Sequence, residues 1–475
     1  MLLSFSVANF RSFLDEQTLS LVASKRLAGH HDAHTVELPD SEERALRAAV
    51  VYGANGAGKS NLFKAIEFLK TAATKTRRKG TGTRREAFKF CDAGEMASQF
   101  DIQFLMSGHT YRFGLVVDDE RVIEEWLTRI EGIKDRVIYE RTTSAAGNVE
   151  VRMPGAKRAK DDKIQAIATV GGPPNQTFLA TIIENLDDSS MPSPVRDAVK
   201  WFKVNLTLVR PDGPIAPIGH YLSVAKGFPE FASSFLRAAS TGVEEIAVKR
   251  KKLTLDQVKA MLGPSSWEFF QERIVSMQPG EASLISRGDN EILIEKSEEQ
   301  SFYSLDVEAS HQCANGASVK LALREESDGT RRLLDLLPAL YDRKANRQRV
   351  FIIDEIERSL HPALMKKLLT HFLDPKSGNG NQIIVTTHES HLLDLDLLRR
   401  DEIWFAEKGH GLETHLHSLS QFKVRTDLDL RKNYFQGRFG GIPFLGDIDR
   451  LIEIADGAAD GSADHEKEEG ESGAA

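Results

Sequence analysis

Apolar and polar residues alternate at positions 2–8 and 17–23, the period of two that a half-buried strand requires. A short apolar run at 47–52 is stopped by Gly53, and residues 61–70 follow with helical spacing, so the chain opens as three strands and a helix. Positions 100–104, 109–117 and 122–128 are further strand-like runs, with turn signals at Ser107-Gly108 and Asp118-Asp119. They predict a small antiparallel β lobe near residues 85–150. After the loop Gly171-Gly172-Pro173-Pro174-Asn175, the pattern becomes mostly helical from 194 to about 274. That stretch includes 229–239, closed by Gly242, and a helix after Thr254, whose Gln257 completes a capping box. No heptad pattern persists through three or four repeats, which argues against a long coiled-coil arm. Strands resume at 282–285, 291–296 and 303–310, and from 320 to 405 the order strand, helix, strand, helix, strand is that of a parallel sheet.

Composition narrows the class. A chain of 475 residues with 41% hydrophobic content can bury a core, and its length suggests about two to four domain-sized units. No run approaches the roughly 18 uncharged apolar residues of a membrane helix. The first residues also lack the basic start and apolar core of a signal peptide, so a cytoplasmic protein without a membrane partner is expected. Cys91 and Cys313 are far apart and have no CxxC partner, which gives no support to a disulfide framework or a zinc finger. The net charge of −8 is mostly tail: the last twenty residues carry seven acidic side chains and one lysine, and are expected to be disordered. The folded body is therefore nearly neutral. Between Lys75 and Lys89, however, Lys75, Arg77, Arg78, Lys79, Arg84, Arg85 and Lys89 face Glu86 alone, the composition of either a solvated loop or a nucleic-acid contact.

Chemistry concentrates in four places. Gly53-Ala54-Asn55-Gly56-Ala57-Gly58-Lys59-Ser60 fits GxxxxGK[ST] and lies between an apolar strand and a helix beginning at Asn61. Such glycines let backbone N–H groups face phosphates, the lysine reaches the outer phosphates, the serine supplies a magnesium ligand, and the helix adds its positive end. Residues 349–355, RVFIIDE, form an apolar strand ending in Asp354 and Glu355, suited to a magnesium-water acid and a catalytic base. Glu357 and His361 follow on the next turn, with structural and functional roles both open. Residues 382–388, QIIVTTH, end another apolar strand in His388, which could donate to a γ-phosphate. Lastly, Glu326-Ser327-Asp328-Gly329-Thr330 precede a helical run at 333–340; Ser327 and the N–H of Gly329 suit a phosphate, although a plain N-cap uses the same residues. The cluster His30, His31, Asp32 and His34 has metal-ligand chemistry but reads as a solvated loop.

Together these elements resemble the ABC ATPase superfamily, in which a signature motif completes the nucleotide site of the opposite subunit. Glu326 to Thr330 would be a degenerate signature. Ser327 to Asp354 is 27 residues and Asp354 to His388 is 34, both near the spacing of such heads. The 268 residues from Lys59 to Ser327 resemble the SMC, RecF and OLD branch, whose heads carry insertions there. The opening Asn9-Phe10-Arg11-Ser12-Phe13 looks like that branch's first turn, with Arg11 near the nucleotide. GANGAGKSNL, ESDGT, FIIDEIERSLHP, TTHES and RKNYFQGRFGGIP are similar to stand-alone RloA-like ATPases, bacterial proteins encoded beside restriction and anti-phage genes. Two departures stand out: no Q-loop glutamine is placed in residues 88–127, and the signature lacks its first glycine. About seventy residues follow the last core strand near Phe405, too few for the Toprim nuclease of OLD proteins.

The resemblance implies an α/β fold, an ABC-ATPase-like P-loop head with an antiparallel β lobe and a helical insert. Residues 1–180 are expected to hold the N-terminal half of the head with the β lobe, 181–305 a helical insert and return strands, 306–455 the C-terminal half, and 456–475 the tail. It implies ATP and Mg2+ as cofactors, with Arg11, Gly53, Asn55, Gly56, Gly58, Lys59, Ser60, Asn61, Ser327 and Gly329 binding nucleotide. Ser60 and Asp354 would hold the metal, and Glu355 and His388 would act in catalysis. The partners implied are a second copy joined through an ATP sandwich, a higher oligomer, and a separately encoded effector. The expected role is an ATP-hydrolysing switch or sensor in bacterial anti-phage defence. The alternatives are a RecF- or SMC-like ATPase that binds nucleic acid in repair, and an ATP-dependent scaffold with little turnover. Whether Tyr434, Phe435 and Phe439 anchor an interface or pack on the head is open.

Overall fold

The centre of the fold is a six-stranded sheet in the order Leu206–Val209, Val350–Ile353, Gln382–Thr387, Ala48–Tyr52, Ile403–Lys408, Thr414–Ser418; neighbouring pairs among the first five are parallel, and the last is antiparallel. In this computed structural model, residues 1–440 are described except 40, 79, 92–95, 133–134, 155–161, 214–217, 278, 288–289, 298, 300, 342–347, 375–379 and 423–429. The acidic tail and residues 441–443 of the ending motif lie outside them.

The three central strands are buried at every residue, because both faces of the sheet are covered. Successive side chains alternate between those faces. Ala49, Val51, Val350, Ile352 and Ile384 point into one core, shared with Leu62, Ile66 and Leu69 of the helix Lys59–Thr74 and with the β lobe. Ala48, Val50, Phe351, Ile353 and Val385 point into the other, against Leu333 and Leu337 of the helix Asp328–Tyr341 and Met365 and Leu369 of Pro362–Leu373.

The β lobe is a seven-stranded antiparallel sheet in the order Val149–Arg152, Arg136–Thr143, Val122–Ile130, His109–Val117, Ser98–Met106, Leu2–Ala8, Gln17–Ser20. Ser107 and Gly108 both adopt positive φ between the paired residues Met106 and His109, the two-residue turn that matches strand twist. The first and second strands of the chain thus complete a sheet whose other five members begin only at Ser98.

The stretch that reads as helical in the sequence is mixed. Helices occur at Ser193–Lys200, Ile218–Val224, Phe228–Ala238 and Leu255–Ser276, the last starting at a capping box between Thr254 and Gln257 and kinked at Gly263 and Pro264. Leu206–Val209 is instead the edge strand of the central sheet, and Val243–Leu253 is an eleven-residue strand pairing with Phe302–Gln312. That second strand belongs to a five-stranded antiparallel sheet, which also takes Ser318–Ala322. The strand near residue 320 is therefore not part of the parallel sheet.

Candidate nucleotide site at the carboxyl edge of the central sheet

Parallel pairing puts several chain positions level. Val209 is opposite Ile353, Ile353 opposite Val385, and Tyr52 opposite both Thr387 and Phe405. Gly53, Asp354, His388 and Arg210 consequently leave the sheet at one carboxyl edge, where open α/β sheets bind ligands.

The loop after Tyr52 is shaped by its glycines. Gly56 and Gly58 have φ of 79° and 104°. A Cβ on Gly58 would lie 2.0 Å from Thr414 Oγ1, and one on Gly53 would lie 2.5 Å from the Ala406 carbonyl. Only glycine fits either approach. Gly58 is the N-cap of the helix Lys59–Thr74 and offers no side chain to it, so the first turn presents backbone N–H groups to an anion. Asn55 and Gly56 are exposed and Ser60 is half-buried.

Lys59 is buried and folds back on the loop, donating from Nζ to the carbonyls of Gly53 at 2.7 Å and Ala54 at 3.0 Å. Burial pulls its pKa down, opposed by the charges of Glu357, Asp354 and Glu355 in that order. The ammonium is thus held by neutral carbonyls and surrounded by acids, an arrangement that phosphate oxygens would improve.

Asp354 is buried, its N–H donates to the Val209 carbonyl at 3.0 Å, and one carboxylate oxygen accepts from Thr386 Oγ1. The same Thr386 oxygen accepts the Glu355 N–H at 2.9 Å, and Glu355 stands at a φ of 49°. This left-handed turn, an uncommon state for a non-glycine residue, separates the directions of two adjacent carboxylates. Glu357 accepts from the His388 N–H at 2.9 Å and lies 2.6 Å from His388 Nδ1. His361 caps the helix Pro362–Leu373, its Nδ1 accepting from the Ala363 N–H at 3.2 Å.

Arg11 has a φ of 52°, donates its N–H to the Glu86 carbonyl at 2.7 Å and pairs its guanidinium with the Glu86 carboxylate. The next residue ties this turn to the phosphate loop, because Ser12 Oγ accepts from Asn61 Nδ2 at 2.8 Å. Asn61, expected at the nucleotide, commits its amide to that contact. Thr414 completes the brace: its hydroxyl donates to the Ala57 carbonyl at 2.9 Å and meets Ser12 Oγ at 2.7 Å.

The segment Glu326 to Thr330 sits apart from this loop. Ser327 Oγ accepts the Thr330 N–H at 3.1 Å, as an N-cap does, and Glu326 is buried against His311 Nε2 at 2.5 Å. A Cβ on Gly329 would come within 2.9 Å of the Ser359 carbonyl, so glycine lets the helix start approach the turn that follows Glu355. Among the described residues, no hydrogen bond or ion pair joins Ser327–Thr330 to Gly53–Asn61.

Sequence reasoning overlooks Ser12, Thr414, Thr386 and Arg210. Arg210 lies level with Asp354 and pairs with Glu67 of the phosphate-loop helix at 2.7 Å; the signal for it is an apolar run ended by Arg-Pro-Asp-Gly. The four residues at 30–34 do not form a solvated loop throughout. His34 is buried on Glu402 at 3.0 Å, and His31 stacks on His34 and bonds the Leu395 carbonyl at 2.8 Å. Tyr434 and Phe439 stack on Phe405 inside the head, while Phe435 remains 65% exposed.

The family described as "AAA domain, putative AbiEii toxin, Type IV TA system" matches residues 48–152 and 229–394, more than half of the chain. The chain belongs to this family. The match takes in the phosphate loop, both acids that follow the strand Val350–Ile353, and His388, and the α/β fold is that of a P-loop ATPase head. Solved structures similar to this AAA domain include the SMC head domain from Thermotoga maritima, 12% identical, covering 89% of this chain and 99% of that one with a TM-score of 0.36. An SMC head bound to the C-terminal winged-helix domain of ScpA is 15% identical over 88% and 98%, with a TM-score of 0.37. An SMC head bound to the C-terminal domain of ScpA from Pyrococcus furiosus is 14% identical over 88% and 97%, at 0.36. No curated protein matches the AAA domain in sequence.

Proposed function

We propose that this AAA domain binds ATP with magnesium and hydrolyses it at a site shared by two copies, acting as a switch on a separately encoded effector in anti-phage defence. The observation that carries the reading is the convergence of Lys59, Asp354, Glu355 and His388 on one sheet edge. Lys59 would leave the Gly53 and Ala54 carbonyls for the outer phosphates. Ser60 and Asp354 are the hard oxygen donors that suit magnesium, which when bound neutralises phosphate charge. Glu355 would take a proton from water as its oxygen attacks the γ-phosphorus and the bond to ADP breaks, with His388 aligned beside it. Loss of the γ-phosphate would then release the partner. The family description, naming a toxin of a type IV TA system, supports a separate protein partner.

Glu355→Gln tests the reading directly. ATP affinity should stay within about twofold, while turnover falls roughly a hundredfold or more, as loss of a general base does. An ATP-dependent dimer should accumulate on size exclusion. Turnover near wild type would assign the base elsewhere, and wild-type function without turnover would favour the scaffold.

A second reading, contact with nucleic acid, is favoured by the loop after the phosphate-loop helix. Arg77 is held low chiefly by burial and next by the like charge of Arg84, and neither has an acidic partner among the described residues. Asn175 pins the loop backbone at the Arg78 carbonyl at 2.9 Å, and Gln176 accepts the Arg77 N–H at 2.7 Å, so the backbone that carries these cations is held in place. Arg85 does not belong to this set: it is buried and paired with Asp119 at 2.6 Å. Replacing Arg77, Arg78 and Arg84 with alanine should leave ATP turnover intact. If DNA binds here, its affinity should fall uniformly across sequences, and its salt slope should flatten by about one for each phosphate that is no longer neutralised. An unaltered slope would remove the loop from DNA binding.

A further inference from the structure

The third acid after the strand Val350–Ile353, Glu357, has no part in the reaction outlined above, yet it is more deeply committed than a surface carboxylate. Its side chain is 9% exposed; Oε1 accepts the backbone N–H of His388 at 2.9 Å and lies 2.6 Å from the ring Nδ1 as an ion-pair contact. The other oxygen, Oε2, is buried and has no partner among the described residues. We propose that Glu357 is a positioning residue for hydrolysis, gripping His388 at backbone and ring so that only Nε2 is turned to the nucleotide. This role rests on the ATPase reading of the site.

Four observations support it. His388 is 57% exposed at the end of its strand, so packing alone would leave its ring free to rotate. The Glu357 contact commits Nδ1 and leaves Nε2 as the only ring atom available for a phosphate or water, which is how a carboxylate orients a working histidine. A buried carboxylate with one oxygen unmet is also a poor choice for mere packing, since a glutamine or a leucine would avoid the buried charge. Finally, among the acids that offset the burial of Lys59, Glu357 has the largest effect, which places its charge inside the site. An ordinary surface pair would show none of these features.

Two variants of the full chain separate this role from a structural one. Glu357→Gln retains a carbonyl oxygen that accepts the His388 N–H and stands beside the ring, and should keep turnover within a few-fold of wild type. Glu357→Leu removes the hydrogen bond, the ring contact and the unmet oxygen together. It should melt no lower than wild type, bind a fluorescent ATP analogue within about twofold, and lose kcat by about 10- to 100-fold, the usual effect of removing an orienting partner. His388→Ala should lose a similar factor, and the double variant Glu357→Leu, His388→Ala should lose no more than the worse single one. Multiplying losses in the double variant, wild-type kcat in Glu357→Leu, or a loss confined to ATP affinity would each overturn the proposal. Absence of turnover in the wild-type protein would sink the ATPase reading and this role with it; wild-type turnover that Glu357→Leu leaves untouched would sink this role alone.

Discussion

Lys59→Ala should abolish measurable ATP binding. Nζ is the cation of the phosphate loop itself, and it bonds the Gly53 and Ala54 carbonyls at 2.7 and 3.0 Å. Exchanging those for phosphate oxygens creates charge-assisted bonds of about 1.5–3 kcal/mol each, and two such bonds correspond to a loss of roughly 10²- to 10⁴-fold in affinity. The empty protein should suffer little, because shortening the side chain leaves room for water at the two carbonyls, next to the exposed Asn55 and Gly56. Melting temperature separates the two effects. ATP at a hundredfold over its Kd stabilises the folded state by about 2.7 kcal/mol, and that increment should vanish in the variant while the nucleotide-free melting temperature stays close to wild type. Unchanged ATP affinity would mean that the glycine loop is only a turn.

How far each part of this site can be read from sequence follows from how local its physics is. Gly53 to Ser60 is legible because glycine freedom, helix start and lysine lie within eight residues, and each has a fixed chemical reason. Asp354 and His388 are legible because a fully buried strand must end where its apolar run ends. The brace on the loop is not: Thr414 bonds Ser12 across 402 positions and Ala57 across 357, and no local pattern marks such a contact. Leu206–Val209 disappears into a helical stretch because four residues carry no periodicity, and it becomes a strand only by pairing with Val350–Ile353. Val243–Leu253 is hidden for a related reason. Its Lys249-Arg250-Lys251-Lys252 run breaks the apolar alternation, and pairing with Phe302–Gln312 overrides that weak local signal. The role of Glu357 depends on a turn that begins at the positive φ of Glu355, which sequence does not reveal.

Ser327→Arg should bind ATP and yet lose turnover. In its own chain Ser327 caps the helix Asp328–Tyr341, and no hydrogen bond or ion pair of the described residues reaches the phosphate loop from it. A γ-phosphate contact would therefore come from a second copy, and the bulky arginine would keep that copy away. Loss of the cap alone costs about 1 kcal/mol, which a melting curve would register as a small shift. Ser327→Asp provides the control, because aspartate caps a helix as well as serine does but repels an incoming phosphate. If the segment is only a cap, Ser327→Asp retains turnover; if it completes the site, turnover is lost in both variants.

The most direct test of a site shared between two copies is the turnover of a one-to-one mixture of Lys59→Ala and Ser327→Arg, each inactive alone. In a heterodimer, the Ser327→Arg chain supplies an intact phosphate loop and the Lys59→Ala chain an intact Ser327, so one of two sites is whole. Random exchange should restore about a quarter of the wild-type rate, since half of the dimers are mixed and half of their sites are competent. No recovery, with mixed dimers demonstrated by differently tagged chains, would contradict a composite site.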